Sequence, residues 1–293
     1  MTSQPLPTAR SARIDWSNLA FLASCHLMAA AAIGYMVFVH FAWLTIALGA
    51  LWFLLSGLAI TAGYHRLFAH HAYRASLALR AFCLFFGAAA VQNSAVKWSA
   101  DHRRHHAYTD TDEDPYSIGR GFWWAHIGWV FYHDELESLD RVPDLKADRL
   151  ARFQHDHYLA IVIASGVLLP AAIGSLWGDA LGAFLVAGFL RLALQWHSTF
   201  CVNSLAHTIG SQPYSTEVSA RDSVVTSLVT LGEGYHNFHH RFQSDYRNGV
   251  RWYHFDPTKW FVWSMSKIGV TSDLRRMPKQ AIARAKARMR GQG

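Results

Sequence analysis

From Leu19 to Thr61 the chain carries no Asp, Glu, Lys or Arg. Such a run is too long for one buried helix of a soluble domain and long enough for two bilayer crossings of about 20 residues each. It divides near His40, which predicts a membrane hairpin over roughly 19–39 and 42–62. A second hairpin follows the same plan over 158–177 and 181–203, with Gly178 and Asp179 as its turn. Two pairs of such segments argue against buried helices of a soluble protein. Composition agrees, since 52% of residues are hydrophobic and only 16% charged, more apolar than an ordinary soluble domain.

The basic residues orient these spans. Of the 27 Lys and Arg, all except Arg191 fall on one side of the four-span arrangement. The positive-inside tendency makes that side cytoplasmic, together with both termini and two large polar regions, and a bacterial inner membrane is the expected location. The formal charge of +7 then reads as a face beside anionic headgroups. It does not read as a nucleic-acid surface, because the basic residues are spread out and accompany the spans, and no nucleic-acid motif occurs.

The chain reads as a single domain. Residues 1–17 form a polar, flexible lead-in without the apolar core and cleavage site of a secretory signal. Residues 275–293, with "KQAIARAKARMR", form a basic helical tail expected on the headgroups or in solvent. Cys25, Cys83 and Cys201 are isolated in apolar settings, which suits small buried hydrophobes and neither a disulfide framework nor a zinc ribbon.

The 18 histidines cluster. "HRLFAH" holds His65 and His70, "HRRHH" holds His102, His105 and His106, and "HNFHH" holds His236, His239 and His240. Positions i, i+3 and i+4 share a helix face, so each HxxHH triplet can aim its imidazoles at one place while Arg103 and Arg104 point elsewhere. His65 and His70 are about 140° apart on an ideal helix, so they approach one centre from different angles or across a distorted turn. "NSLAH" adds Asn203 and His207, four apart on one face. His71 faces another direction, and His26, His40, His126, His133, His155, His157, His197 and His254 read as ordinary surface or core-edge histidines.

Nine imidazoles exceed the usual shell of one ion, so two metals are implied, at the cytoplasmic ends of the second and fourth spans. An all-nitrogen shell fits iron, zinc, copper or nickel and not magnesium or calcium. Carboxylates that accept imidazole N–H bonds would moderate the ions' charge. Asp101, Asp110, Asp112, Glu113, Asp114, Glu233 and Asp245 are within reach in sequence, with Asp101, Asp110 and Glu233 taken as the candidates.

The order "HRLFAH", "HRRHH", "NSLAH", "HNFHH" resembles the membrane-bound fatty acyl desaturases of the delta-9, stearoyl-CoA-desaturase-like group. The likeness extends over about 50–262 and includes "GFWWAHIGWVF" and "GEGYHNFHHRFQSDYRNG". It implies an all-α membrane protein of four helices in two hairpins, with a helical cytoplasmic cap carrying a di-iron site. It further implies that His65, His70, His102, His106 and His240 surround one iron and His105, His207, His236 and His239 the other, with Asn203 holding an iron-bound water. The implied reaction uses dioxygen to remove two hydrogens from adjacent methylenes, giving a cis double bond and two waters, inside a dry, bent apolar tunnel. Trp, Phe and Ala residues of 77–98, 122–131 and 196–200 are available to line that tunnel or simply to pack.

One departure touches the substrate. Members that use acyl-CoA have an Arg before the Asp of the first HxxHH motif and an Arg-Lys pair after the "HVGW"-like segment. Here those positions are Ala100, and His133 with Asp134, so an acyl chain already in a membrane phospholipid competes with acyl-CoA as substrate. The chain has no flavin fingerprint, iron–sulfur cysteine set or fused haem segment, so a separate ferredoxin or haem carrier with its reductase is expected. The alternatives are a related di-iron hydroxylase and a histidine-rich membrane metal transporter, whose ligands should lie near the bilayer midplane.

Overall fold

The computed structural model describes residues 13–291. Among the described residues the regular structure is helical, apart from a two-stranded antiparallel sheet, Arg74–Ala75 against Thr271–Ser272. Four helices are long and apolar enough to cross a membrane: Trp16–Phe38, Trp43–Ala69, Tyr158–Trp177 and Ala180–His207. These are the four expected spans, but the second and fourth run several residues further, as far as the histidines. Both turns fall where expected. Gly178 adopts φ 78° in the second, a conformation open to glycine at little cost.

Asp179 explains how the two hairpins meet on the side away from the histidines. Its carboxylate caps the fourth span at Gly182 N (3.0 Å) and accepts from Tyr35 of the first hairpin (2.8 Å) and Thr45 (2.5 Å). The fourth span lies innermost, packing Leu185 and Val186 on Ala32 of the first span and Ala183 and Ala187 on Leu48 and Trp52 of the second. Arg191, the charge within that span, is buried and donates to the carbonyls of Ala187 (2.9 Å) and Ala89 (2.7 Å). Ala89 ends the helix Leu77–Ala89, so the guanidinium satisfies a helix C-terminus.

The cap is built from the helices Ala95–Tyr108 and His236–Arg241, called here the first and second box helices, with shorter helices around them. Close backbone approaches fix how it seats. A Cβ at Gly63 would lie 2.5 Å from that of Cys83, and one at Gly87 2.3 Å from the Tyr64 ring. Gly63→Ala is therefore expected to destabilise by about 1–3 kcal/mol through overpacking, read as a lower thermal midpoint in detergent; an unchanged midpoint would show that this contact relaxes freely.

Two expectations need correction. The lead-in at 1–17 falls largely on residues 1–12, outside the described residues; Arg13 to Asp15, however, are pinned. Asp15 N donates to Phe131 O (2.8 Å) and His133 N to Arg13 O (3.0 Å). The basic C-terminal helix Lys279–Arg290 is likewise docked, with Ile282 and Ala285 buried against Tyr214, Phe238 and Phe242. Isoleucine and alanine at positions 282 and 285 give it an apolar stripe that sequence composition alone had hidden among cations.

Candidate metal centre

The segment Ala59–Ala69 closing the second span is wound as a π-helix, with His70 as its cap donating N–H to His65 O (3.1 Å). Such i→i+5 bonding is rare and concentrates at functional sites. It brings residues five apart onto one face, so the angular conflict between His65 and His70 disappears and their rings lie 4.9 Å apart. The fourth span ends in a tight 3₁₀ turn, Leu205–His207, which delivers His207 to the same region.

The nine histidines gather into two groups, within each of which one ring nitrogen per residue lies within 4.8 Å of all the others. The first holds His65, His70, His102, His106 and His239; the second holds His105, His207, His236 and His240. This corrects the expected division, in which His239 and His240 had each other's places. Helix geometry supplies the reason. Residues i and i+4 differ by about 40° around the axis, whereas i+3 and i+4 diverge by about 100°. Each box helix therefore sends its i, i+4 pair to one group and its i+3 residue to the other: His102 and His106 against His105, His236 and His240 against His239. One triplet does not share one centre; two crossed triplets build two.

The donor atoms fit a cation. Nε2–Nε2 separations are 2.7 Å for His70–His102, 3.0 Å for His65–His239, 2.9 Å for His106–His239, 3.2 Å for His105–His240 and 3.0 Å for His236–His240. Three Nδ1 atoms are held as donors to protein acceptors. His65 Nδ1 donates to Glu233 (2.9 Å), His105 Nδ1 to Asp114 (2.9 Å) and His207 Nδ1 to Ser219 Oγ (2.7 Å). A neutral imidazole has one N–H, and where it sits on Nδ1 the Nε2 lone pair faces other nitrogens. His207 Nε2 is buried without a partner among the described residues. Burial, then the neighbouring histidines, push His70, His102, His106, His236, His239 and His240 well below the ordinary histidine range. Neutral rings with converging lone pairs are what two divalent nitrogen-bound ions require.

The supporting carboxylates are only partly those expected. Glu233 contacts His65 directly. Asp110 acts at one remove: it accepts from Ser219 N (2.6 Å) and Oγ (2.5 Å), and Ser219 orients His207. Asp101 contacts no site imidazole; it turns to Arg104 (3.8 Å) and edges a cavity, with burial raising its pKa to about 6. Asp114 takes the role instead, because the turn after the first box helix, with Asp110 at φ 69°, folds the acidic run back over His105. Asp112 and Glu113 stay exposed, and Asp245 pairs with Arg247 (2.8 Å).

Sequence reasoning missed Ser219, Arg66 and Asp256. Buried Arg66 joins Glu233 (2.8 Å) and Asp256 (3.0 Å), and Asn248 donates to Glu233 (2.6 Å). Burial would raise the Glu233 pKa, but Arg66 and His65 hold it at about 2. A serine and a lone Arg carry no spacing signal, so no local pattern could have found them. His71 points away to Asp144 (2.9 Å), as expected.

A cavity of about 480 Å³ reaches His65, His102, His105 and His236, and Asn203 lies on its wall. Leu22, Trp98, Trp129, Trp196 and Phe200 line it, so several of the aromatics read as available for a tunnel do face one. Its outer edge carries Asp15, Lys97, Asp101, His133, Asp134 and Glu137.

Residues 38–268 match the family profile described as fatty acid desaturase. The chain is 48% identical to a "Probable acyl-CoA desaturase" of Schizosaccharomyces pombe over 81% of its own length and 50% of the relative's. It thus spans about half of that protein. It is also 37% identical to "Stearoyl-CoA desaturase 5" of Bos taurus over 96% of this chain and 86% of the relative. A "Delta(9)-fatty-acid desaturase fat-7" of Caenorhabditis elegans is 38% identical, over 92% of this chain and 82% of the relative. The match takes in both box helices and all nine clustered histidines, and this chain belongs to the fatty acid desaturase family.

Proposed function

We propose that this protein is an oxygen-dependent fatty acyl desaturase that introduces a cis delta-9 double bond, with an iron ion in each histidine group. One observation carries the reading: two groups of converging imidazoles lie beside a cavity lined in part by apolar side chains. Bound iron supplies the dioxygen chemistry that removes hydrogen from unactivated methylenes, which no side-chain acid or base achieves. The chain's own part is placement. His65, His70, His102, His106 and His239 would hold one ion, and His105, His207, His236 and His240 the other. Asn203 would hold a water bound to a metal, while Glu233, Asp114 and the Asp110–Ser219 pair fix ring orientation. Leu22, Trp196 and Phe200 keep the acyl chain dry and position one carbon pair.

The site lies on the cytoplasmic side together with both termini, in keeping with the distribution of Lys and Arg. His65 and His207 stand in the last turns of their spans, which favours an enzyme at the membrane surface over a transporter with midplane ligands. Gas chromatography–mass spectrometry of lipids from an expressing host tests the reaction. A new cis alkene is the expected result; a hydroxy acid without an alkene would establish a hydroxylase instead.

Acyl-CoA is the first candidate substrate, following the printed names of the relatives. A specific observation favours a second, the acyl chain of a phospholipid. At the cavity edge Lys97 is paired with Glu137 (2.8 Å), and Asp134 with Arg104 behind it, so both cations already face a carboxylate. Pulse-labelling with separate analysis of the acyl-CoA and phospholipid pools decides, the pool in which the alkene first appears being the substrate.

A further inference from the structure

We propose that Arg241, Arg284 and Arg288 form the docking point for the acidic face of a soluble one-electron carrier protein. The inference rests on the functional reading above and adds to it the surface through which electrons arrive. Each turnover consumes O2, two hydrogens from the acyl chain, two electrons and two protons, and yields one C=C and two waters. The electrons come singly from two reduced carriers, each leaving oxidised.

The placement follows from how the second box helix is layered. His236, His239 and His240 occupy its inner face, toward the ends of the spans. Phe238, on its opposite face, and Phe242, at its C-terminal cap, pack against Tyr214, Ile282 and Ala285. The C-terminal helix Lys279–Arg290 thus lies one helix outward from the histidines, on the side away from the spans. Packed helix axes are about 8–10 Å apart, so a carrier seated in the recess where the two helices meet, beside Arg241 and Phe242, is separated from the histidines by the second box helix.

That helix holds five cations, Lys279, Arg284, Lys286, Arg288 and Arg290, and no acid. Ala281, Arg284, Ala285 and Arg288 form one i, i+3, i+4, i+7 stripe, and with Arg241 and Phe242 they enclose a recess of about 260 Å³. Arg241, which follows His240 directly in the chain, faces Glu217 at 3.4 Å. Arg284 and Arg288 have no ion-pair partner among the described residues. At the substrate cavity, by contrast, the cations are paired with carboxylates. Unpaired guanidiniums with small alanines between them present donors that an acidic protein surface can meet bidentately.

The test compares wild type with Arg284→Glu/Arg288→Glu, using reduced [2Fe–2S] ferredoxin as the probe. Ferredoxin binding to the metal-free protein is measured by surface plasmon resonance across a salt series, and the ferredoxin KM on the iron-loaded enzyme. The double variant is expected to bind on the order of tenfold more weakly at low salt and to lose most of the salt dependence. Its KM for acyl substrate, and its turnover with dithionite, stay at wild-type values. Equal affinity and equal salt slope in the two proteins would overturn the proposal. So would an equal loss in Arg149→Glu/Arg152→Glu, which alters another face of the cap, or lost binding to phosphatidylglycerol vesicles with ferredoxin affinity intact, which would assign the patch to lipid. If no sample desaturates with either reductant, the functional reading fails, and ferredoxin affinity still decides the docking site.

Discussion

His105→Ala is expected to abolish desaturation while leaving the protein inserted in the membrane at normal abundance. His105 belongs to the four-histidine group, and its ring lies between Asp114, which orients it, and His240. Loss of a carboxylate that merely orients a ligand typically costs 10–100-fold in metal affinity or activity; loss of the ligand itself should exceed about 100-fold. Iron per chain, read by mass spectrometry of the purified protein, should fall from two toward one. Full activity in this variant would refute the site.

The same measurement separates the two groups. His65→Ala combined with His239→Ala strikes one group twice and should remove no more iron than either change alone. His65→Ala with His240→Ala strikes both and should remove both ions. Such non-additivity marks residues that act as a unit, and the reverse pattern would restore the division that the family resemblance implied.

Glu233→Ala carries the second large effect, on stability. Glu233 accepts from His65, Arg66 and Asn248, all buried. Removing it leaves the Arg66 guanidinium with Asp256 and a carbonyl, and leaves the Asn248 amide without its carboxylate. Breaking a buried ion pair from one side costs about 3–5 kcal/mol, because the surviving charge stays desolvated. The expected readings are a markedly lower thermal midpoint in detergent and weaker iron binding, since His65 loses the acceptor that fixes its tautomer. Glu233→Gln, which keeps the shape and one acceptor, should fall between. A Glu233→Ala protein melting with wild type would mean that the Arg66 cluster contributes little.

Much of this was legible one residue type at a time. The uncharged run at 19–61 required a hairpin because a bilayer offers backbone groups no water, so a spanning segment must be apolar and helical. The histidine clusters announced metals because few other structures gather nine imidazoles at helix spacing. The acidic run after "HRRHH" suggested ligand support, yet which acid supplies it depended on a turn: Asp114 reaches His105 because the chain reverses at Asp110, and Asp101, nearer in sequence, pairs with Arg104. Ser219 and Arg66 gave no signal, since their roles exist only where distant segments meet.

The sequence by itself determined the four spans, the nine histidines that gather at and beyond their ends, and the family. Those follow from composition and short-range periodicity, which act within one helix. Only the tertiary structure decided how the nine divide, that a π-wound turn aligns His65 with His70, which carboxylates hold the rings, and that the C-terminal helix covers the second box helix. Each of these depends on the angle at which one helix presents its side chains to another, and the spacing along a single chain leaves that angle open until the helices pack.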